Sequence, residues 1–230
     1  MKELQDIVFS QGFGTRYDCQ KMIEDGAFLI DGVVHDNPEE LLDPQGLVLH
    51  WRDQAWPVVE HVLIAMNKPA GYECSMKPGF NPSVMSLLPA PLRKRNVQPV
   101  GRLDVDTTGL LLFTDDGALL HRLTHPKRHV DKVYEVTCKH AITPALCEQL
   151  KSGVMLADEK QMIAAKEAVV IDEHTLHLTL TQGKYHQVKR MIAACSNRVE
   201  GLHRIQVGKY QLPANLKPNE WVWISKEDVL

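Results

Sequence analysis

With 230 residues and 44% apolar content, the chain can hold one large or two modest domains around well-filled cores. Its longest apolar runs, such as Val62 to Met66, are too short for a membrane helix, and Met1 to Gln11 has no signal-peptide core. The net charge of −3 hides a polarised molecule: residues 1–60 carry four Lys/Arg against twelve Asp/Glu, and residues 61–230 carry twenty-two against seventeen.

In chain order, Leu4 to Ser10 reads as a short helix. Thr15 offers an N-cap with Asp18 at N3, a variant of the capping box, and Gly26 ends that second helix after Glu24-Asp25. Asp31-Gly32, between Phe28-Leu29-Ile30 and Val33-Val34, is a two-residue hairpin signal. Two short helices and a small hairpin over residues 1–55 resemble an S4 RNA-binding domain. The departure is in charge: Glu3, Asp18, Glu24 and Asp25 crowd a surface that RNA would need basic, leaving Arg16, Lys21 and a few others to meet phosphate. Asp53 to Glu60, with Trp56-Pro57, reads as the linker to a second domain over residues 61–230.

That domain opens with a buried strand, His61 to Asn67, and a turn, Lys68-Pro69-Ala70-Gly71. Pro78 to Pro91 reads as an irregular loop and Arg93-Lys94-Arg95 as an exposed basic trio. Gly101-Arg102-Leu103-Asp104-Val105-Asp106-Thr107-Thr108-Gly109-Leu110 then packs carboxylates, an arginine, two threonines and two glycines into ten residues, ahead of a buried strand from Leu110 to Phe113. A carboxylate on a glycine-bounded loop against a buried strand is a natural place for catalysis. A calcium loop would use Asp104, Asp106, Thr108, Gly109 and Asp115, but its last position should be a bidentate Glu and helices should flank it. A polar turn without chemistry stays open on composition alone.

Asp115-Asp116-Gly117 starts a helix with Leu119, Leu120 and Leu123 inward and His121, Arg122 and His125 outward, ended by Pro126. His121, His125 and His129 are spaced by four, yet Pro126 prevents one helix from presenting all three, so no metal is expected. Arg122, Lys127, Arg128 and Lys132 instead make a basic stripe suited to phosphates. Lys132 to Cys138 alternates as a strand, Thr143-Pro144 opens a helix that closes at Gly153, and Thr175 to Thr181 alternates again. Gly183 leads into a helix with Tyr185, Val188, Ile192 and Cys195 inward and His186, Lys189 and Arg190 on another face. Strands near Val199–Val207 and Trp221–Ile224 complete a mostly antiparallel sheet, and the irregular alternation of strands and helices predicts an α+β fold. Five cysteines, at 19, 74, 138, 147 and 195, have no paired metal or disulfide spacing, so a reduced, cytoplasmic protein is expected.

Four stretches together carry a family resemblance: Gly101-Arg102-Leu103-Asp104 with Asp106-Thr107-Thr108-Gly109-Leu110; Asn67-Lys68-Pro69-Ala70-Gly71; Lys132-Val133-Tyr134-Glu135-Val136; and Gly183-Lys184-Tyr185-His186-Gln187-Val188-Lys189-Arg190-Met191. In this order they resemble the RsuA-type pseudouridine synthases, well over residues 61–230 and loosely before, and the last stretch is nearer the small-subunit than the large-subunit branch. The resemblance implies isomerisation of a uridine in ribosomal RNA, 16S rather than 23S, with no redox cofactor, nucleotide or metal. It implies Asp104 as the catalytic carboxylate, Lys189 as the cation that keeps it ionised, and Tyr134 as an aromatic face stacked on the target base. Leu202 would pack beneath that base, Arg102 would fill the vacated stack or hold a phosphate, and Arg190 and Arg204 would join the stripe as RNA contacts. Asp106 has the weaker claim, as a second carboxylate or a turn cap. The expected partner is ribosomal RNA, free or in a partly assembled subunit, bound by a monomer. Rivals stand beside this reading: a synthase acting on 23S rRNA, a non-catalytic RNA-binding assembly factor that kept the fold, and a hydrolase of nucleosidic bonds.

Overall fold

A computed structural model describes residues 1–230 as two compact units, Met1–Val62 with Ser86–Val97, and Leu63–Met85 with Gln98–Leu230. In the first, β1 (Lys2–Glu3) leads into α1 (Leu4–Ser10), followed by α2 (Arg16–Glu24). The capping box at α2 forms as its sequence requires: Thr15 Oγ1 accepts from Asp18 N–H at 3.1 Å, and Asp18 Oδ2 accepts from Thr15 N–H at 2.8 Å. Asp31 and Gly32, with φ of 50° and 79°, turn β2 (Phe28–Ile30) into β3 (Val33–Val34). β4 (Leu41–Leu42) pairs with β1, and β5 (Val48–Trp51) pairs with β2 and with β6 (Gln54–Pro57). The expected linker is therefore partly a strand. Trp56 is fully buried and packs its ring 5.0 Å from Phe13, so the residues around it cannot be a solvated connector. The basic trio also divides: α3 (Ala90–Lys94) leaves Arg93 and Lys94 exposed, whereas Arg95 donates to Gln11 Oε1 and to the Val59 carbonyl.

The second unit is a mixed sheet. Its strands are β7 (Leu63–Lys68), β8 (Gln98–Pro99), β9 (Thr108–Thr114), β10 (Lys132–Cys138), β11 (Glu167–Val170), β12 (Thr175–Leu180), β13 (Val199–Val207), β14 (Tyr210–Gln211) and β15 (Trp221–Trp223). The sheet runs β11-β12-β10-β13-β9-β7-β15, with β8 on β9 and β14 on β13. Every pairing is antiparallel except β9 with β13. The helices are α4 (Gly117–Thr124), α5 (Pro144–Ser152), α6 (Gln187–Ala194) and α7 (Lys226–Val229), which makes the fold α+β. Leu110 and Leu112 of β9 join Leu63, Ala65, Val100, Leu119, Leu123, Val207 and Val229 in one core cluster. Asp116 caps α4 by accepting from Ala118 and Leu119 N–H, which fixes the helix that presents Leu119 and Leu123 to that core.

α6 differs from its expected face. Val188 and Ile192 are buried as anticipated, together with Gln187 and Met191, but Tyr185 is 74% exposed and Cys195 only half-buried. The reason is His186, whose φ of 46° is left-handed, so the helix begins one residue later and Tyr185 lies outside it. No helix is long and apolar enough to cross a membrane.

Candidate active site

The site is built on the loop before β9. Lys68, at the end of β7, is fully buried and donates from Nζ to the carbonyls of Thr107 at 2.8 Å, Pro69 at 3.1 Å, Asp104 at 3.2 Å and Val105 at 3.4 Å. A single ammonium thus gathers four oxygens and gives the loop its shape. Burial pulls Lys68 down from its ordinary pKa, while the carboxylates of Asp106 and Asp104 work the other way. Gly71 N–H donates to Val105 O at 2.7 Å, Thr107 N–H to Asp104 O at 3.1 Å, and Leu103 N–H to Cys74 Sγ at 3.4 Å. The Asn67–Gly71 stretch was legible as a motif, but nothing in it marked Lys68 as the pin of the loop.

So held, the Asp104 side chain is 29% exposed, with Lys189 Nζ 3.2 Å from Oδ2 and His186 Nε2 3.4 Å from Oδ1. The sequence placed Lys189 beside Asp104. The structure shares it: Lys189 Nζ lies 2.7 and 2.9 Å from the two oxygens of Asp106. Asp106 is thus not a turn cap; its carboxylate is an ion-pair partner, 72% exposed, and the turn is closed by backbone groups instead. Lys189's hydrogen bond holds the Asp106 carboxyl below the ordinary carboxylate range, against the opposing effect of burial. Burial lowers Lys189 itself, but the two carboxylates outweigh it and raise its pKa. Asp106, depressed, contributes stability that is present above about pH 3.9 and lost as pH falls; Lys189, raised, contributes stability present below about pH 10.4 and lost as pH rises. The bridge therefore acts between those limits, and modestly, because Asp106 faces water.

Asp104, His186, Tyr134 and Leu202 line one cavity of about 620 Å³, a size suited to a small ligand or an extruded base. Tyr134 is buried in β10 and Leu202 half-buried in the neighbouring β13. Tyr185 stacks on His186 with centroids 3.8 Å apart and lies at the cavity's exposed side. His186 was read only as a helix-face residue; its left-handed backbone, invisible in the sequence, turns it toward Asp104.

The expected RNA contacts separate into two groups. Arg102, Arg122, Lys127 and Arg128 are exposed, the last two in a 3₁₀ turn, Pro126–Arg128, after α4. Lys132, Arg190 and Arg204 are not part of a free phosphate stripe. Arg190 pairs with Asp158 and donates to Tyr185 O at 3.0 Å. Lys132 is half-buried, lines the cavity and donates to Val130 O at 2.8 Å. Arg204 is 2% exposed and donates from Nε to Leu110 O at 2.8 Å. Gly109 causes this burial, because β9 meets β13 there in parallel and Arg204 falls opposite Gly109.

Residues 62–194 match the family described as RNA pseudouridylate synthase. The chain is 38% identical over 219 residues to ribosomal small subunit pseudouridine synthase A of Vibrio parahaemolyticus, covering 94% of this chain and 92% of the relative. To the protein of the same name in Escherichia coli it is 41% identical over 164 residues, 71% of each chain. A solved pseudouridylate synthase superposes with a TM-score of 0.70 at 31% identity, covering 100% of this chain and 98% of the other. Motifs, site and comparisons agree, and the chain belongs to the RNA pseudouridylate synthase family, in its RsuA-type branch.

Proposed function

We propose that the protein converts a uridine of 16S ribosomal RNA to pseudouridine, with Asp104 as the carboxylate that acts at the ribose. The observation that carries this is the position of Asp104 in the wall of a base-sized cavity, flanked by Lys189 at 3.2 Å and His186 at 3.4 Å, with Tyr134 and Leu202 lining the same space. Tyr134 offers a ring on which a flipped uracil stacks, and Leu202 packs against the base. Lys189 sets a positive charge 3.2 Å from the Asp104 carboxylate. Arg102 meets the RNA at the mouth. The substrate is ribosomal RNA, free or in a partly assembled subunit, taken by a monomer in the cytoplasm. Incubating the protein with 16S rRNA and digesting the product to nucleosides separates this reading from its rivals: pseudouridine supports it, unchanged uridine indicates a binding factor, and abasic sites indicate a hydrolase.

Lys189→Met is expected to slow the reaction at saturating RNA, because it removes the cation 3.2 Å from Asp104 Oδ2. An unchanged saturated rate, with weaker RNA binding alone, would make Lys189 a phosphate contact.

RNA affinity is expected to reside mainly in residues 61–230, where Arg122, Lys127 and Arg128 stand exposed. Each lost phosphate contact lowers the salt slope of log affinity by roughly 0.7–0.9, so their triple alanine variant should flatten a salt titration by about two units. Deleting residues 1–55, which carry the acidic excess, should change the slope little. The opposite pattern would overturn this division.

A further inference from the structure

Arg204 is buried and Lys132 half-buried in the cavity wall, and neither is ion-paired with an acidic side chain. Arg204 is 2% exposed, spends Nε on the Leu110 carbonyl, and leaves Nη2 buried without a hydrogen-bond partner. A buried guanidinium N–H without an acceptor is costly, and such groups persist where something else completes them. Its Cζ sits 6.0 Å from the centroid of the Tyr134 ring, the residue it opposes across β10 and β13. Lys132 is two residues before Tyr134, hence on the same face of β10, and lines the same cavity as both. The nearby Asp131 is taken by Lys166 at 2.5 Å. Burial, and then the charge of Arg204, push Lys132 down to about 8. Two cations thus line the cavity that also holds Asp104, and neither is ion-paired with a carboxylate.

We infer that Arg204 and Lys132 form a binding subsite for a carbonyl of the flipped pyrimidine, and that they stabilise the negative charge uracil carries between detachment and reattachment. The inference rests on the pseudouridine synthase reading of the cavity. When the bond from ribose C1′ to N1 breaks, its electron pair stays with the base, and the resulting anion spreads its charge over N1, O2 and O4. C5 of that anion then bonds to C1′, a proton leaves C5, and N1 takes up a proton, so that the product is neutral and isomeric with the substrate. A carbonyl oxygen is a modest acceptor before the bond breaks and a strong one afterwards. Donors aimed at it therefore act mainly on the transition state. A backbone phosphate is the poorer candidate for Arg204, because the residue is 2% exposed and lines the cavity rather than the outer surface.

The test uses single-turnover rates on RNA in which the uridine modified by the wild-type protein is replaced by 4-thiouridine or 2-thiouridine, since sulfur accepts hydrogen bonds weakly. One of the two analogues should slow the wild type on the order of tenfold to a hundredfold, the loss of one charge-assisted hydrogen bond. Arg204→Gln and Lys132→Met should each be slow on uridine and lose little more on that analogue. Lys132→Arg should recover most of the rate. Because Arg204→Gln risks misfolding, the Lys132 pair alone decides the question if that variant is unfolded. The inference is overturned if Lys132→Met is slowed by each analogue as much as the wild type, or if it weakens RNA binding while leaving the saturated rate unchanged. Failure of the wild type to form pseudouridine from ordinary uridine would instead sink the functional reading beneath it.

Discussion

Asp104→Asn is expected to bind RNA normally and to form pseudouridine at least about 10⁴-fold more slowly, as when an enzyme loses its nucleophile or base. The substitution keeps the size and hydrogen-bonding reach of the side chain but removes the charge proposed to act at the ribose. The loop should survive it, because Lys68, Gly71 and Thr107 hold that loop through backbone carbonyls. Asp106→Asn is the matched control. Its carboxylate is 72% exposed and engages only the shared Lys189 among the ion pairs of the site, so its loss should slow the reaction by less than roughly tenfold, the ceiling for an exposed pair. Lys189 would then serve Asp104 alone. Rates at saturating RNA, with affinities measured separately, check both halves. An active Asp104→Asn beside a dead Asp106→Asn would reverse the assignment.

Gly109→Ala should destabilise the protein on the order of 3–5 kcal/mol, among the larger effects a single methyl can have. Gly109 has φ of +100°, which an L side chain rarely adopts, and the added Cβ would meet Arg204 O at 2.3 Å and Arg204 N at 2.7 Å. Both are backbone atoms of the adjoining strand, so no rotamer change relieves them. Relief requires β13 to retreat from β9, which would also disturb the 2.7 Å contact between Thr108 Oγ1 and His203 Nδ1 and displace Leu202 and Arg204 in the cavity wall. Gly71→Ala separates strain from collision: its φ is +91°, but nothing lies within 4 Å of the new Cβ, so it should cost only about 1 kcal/mol. Urea denaturation of the two variants measures the difference. Equal midpoints would show that the strands part without penalty and that the close approach is not required.

Local signals in the chain were enough for most of the elements. The Thr15-Asp18 capping box, the Asp31-Gly32 turn, the Thr143-Pro144 helix start and the alternation of Lys132 to Cys138 each act within a few residues, and each forms where its chemistry puts it. The candidate residues Asp104, Tyr134, Lys189 and Leu202 were legible because four motifs carry them, and the cavity brings Asp104, Tyr134 and Leu202 to one wall, with Lys189 at the carboxylate.

What the sequence could not supply depends on strands far apart in the chain. Trp56 lies in a Pro-containing segment that reads as a linker, and only packing against Phe13 and Trp51 makes it core. Arg204 and Lys132 carry the same charge as Arg122 and Lys127, and in the sequence all four read as RNA contacts. Burial depends on which residue lies opposite: glycine at 109 lets β13 close on β9 and takes Arg204 out of water, and the β10–β13 pairing sets it beside Tyr134. Lys68 and His186 follow the same rule, the one satisfied by three carbonyls from a loop 36 or more residues later and by that of Pro69, the other turned to Asp104 by its left-handed backbone. The sequence by itself determined the family, most of the local elements and the candidate carboxylate. The tertiary structure decided which cations face solvent and which face the cavity, because desolvation is a property of the neighbours a side chain acquires on folding.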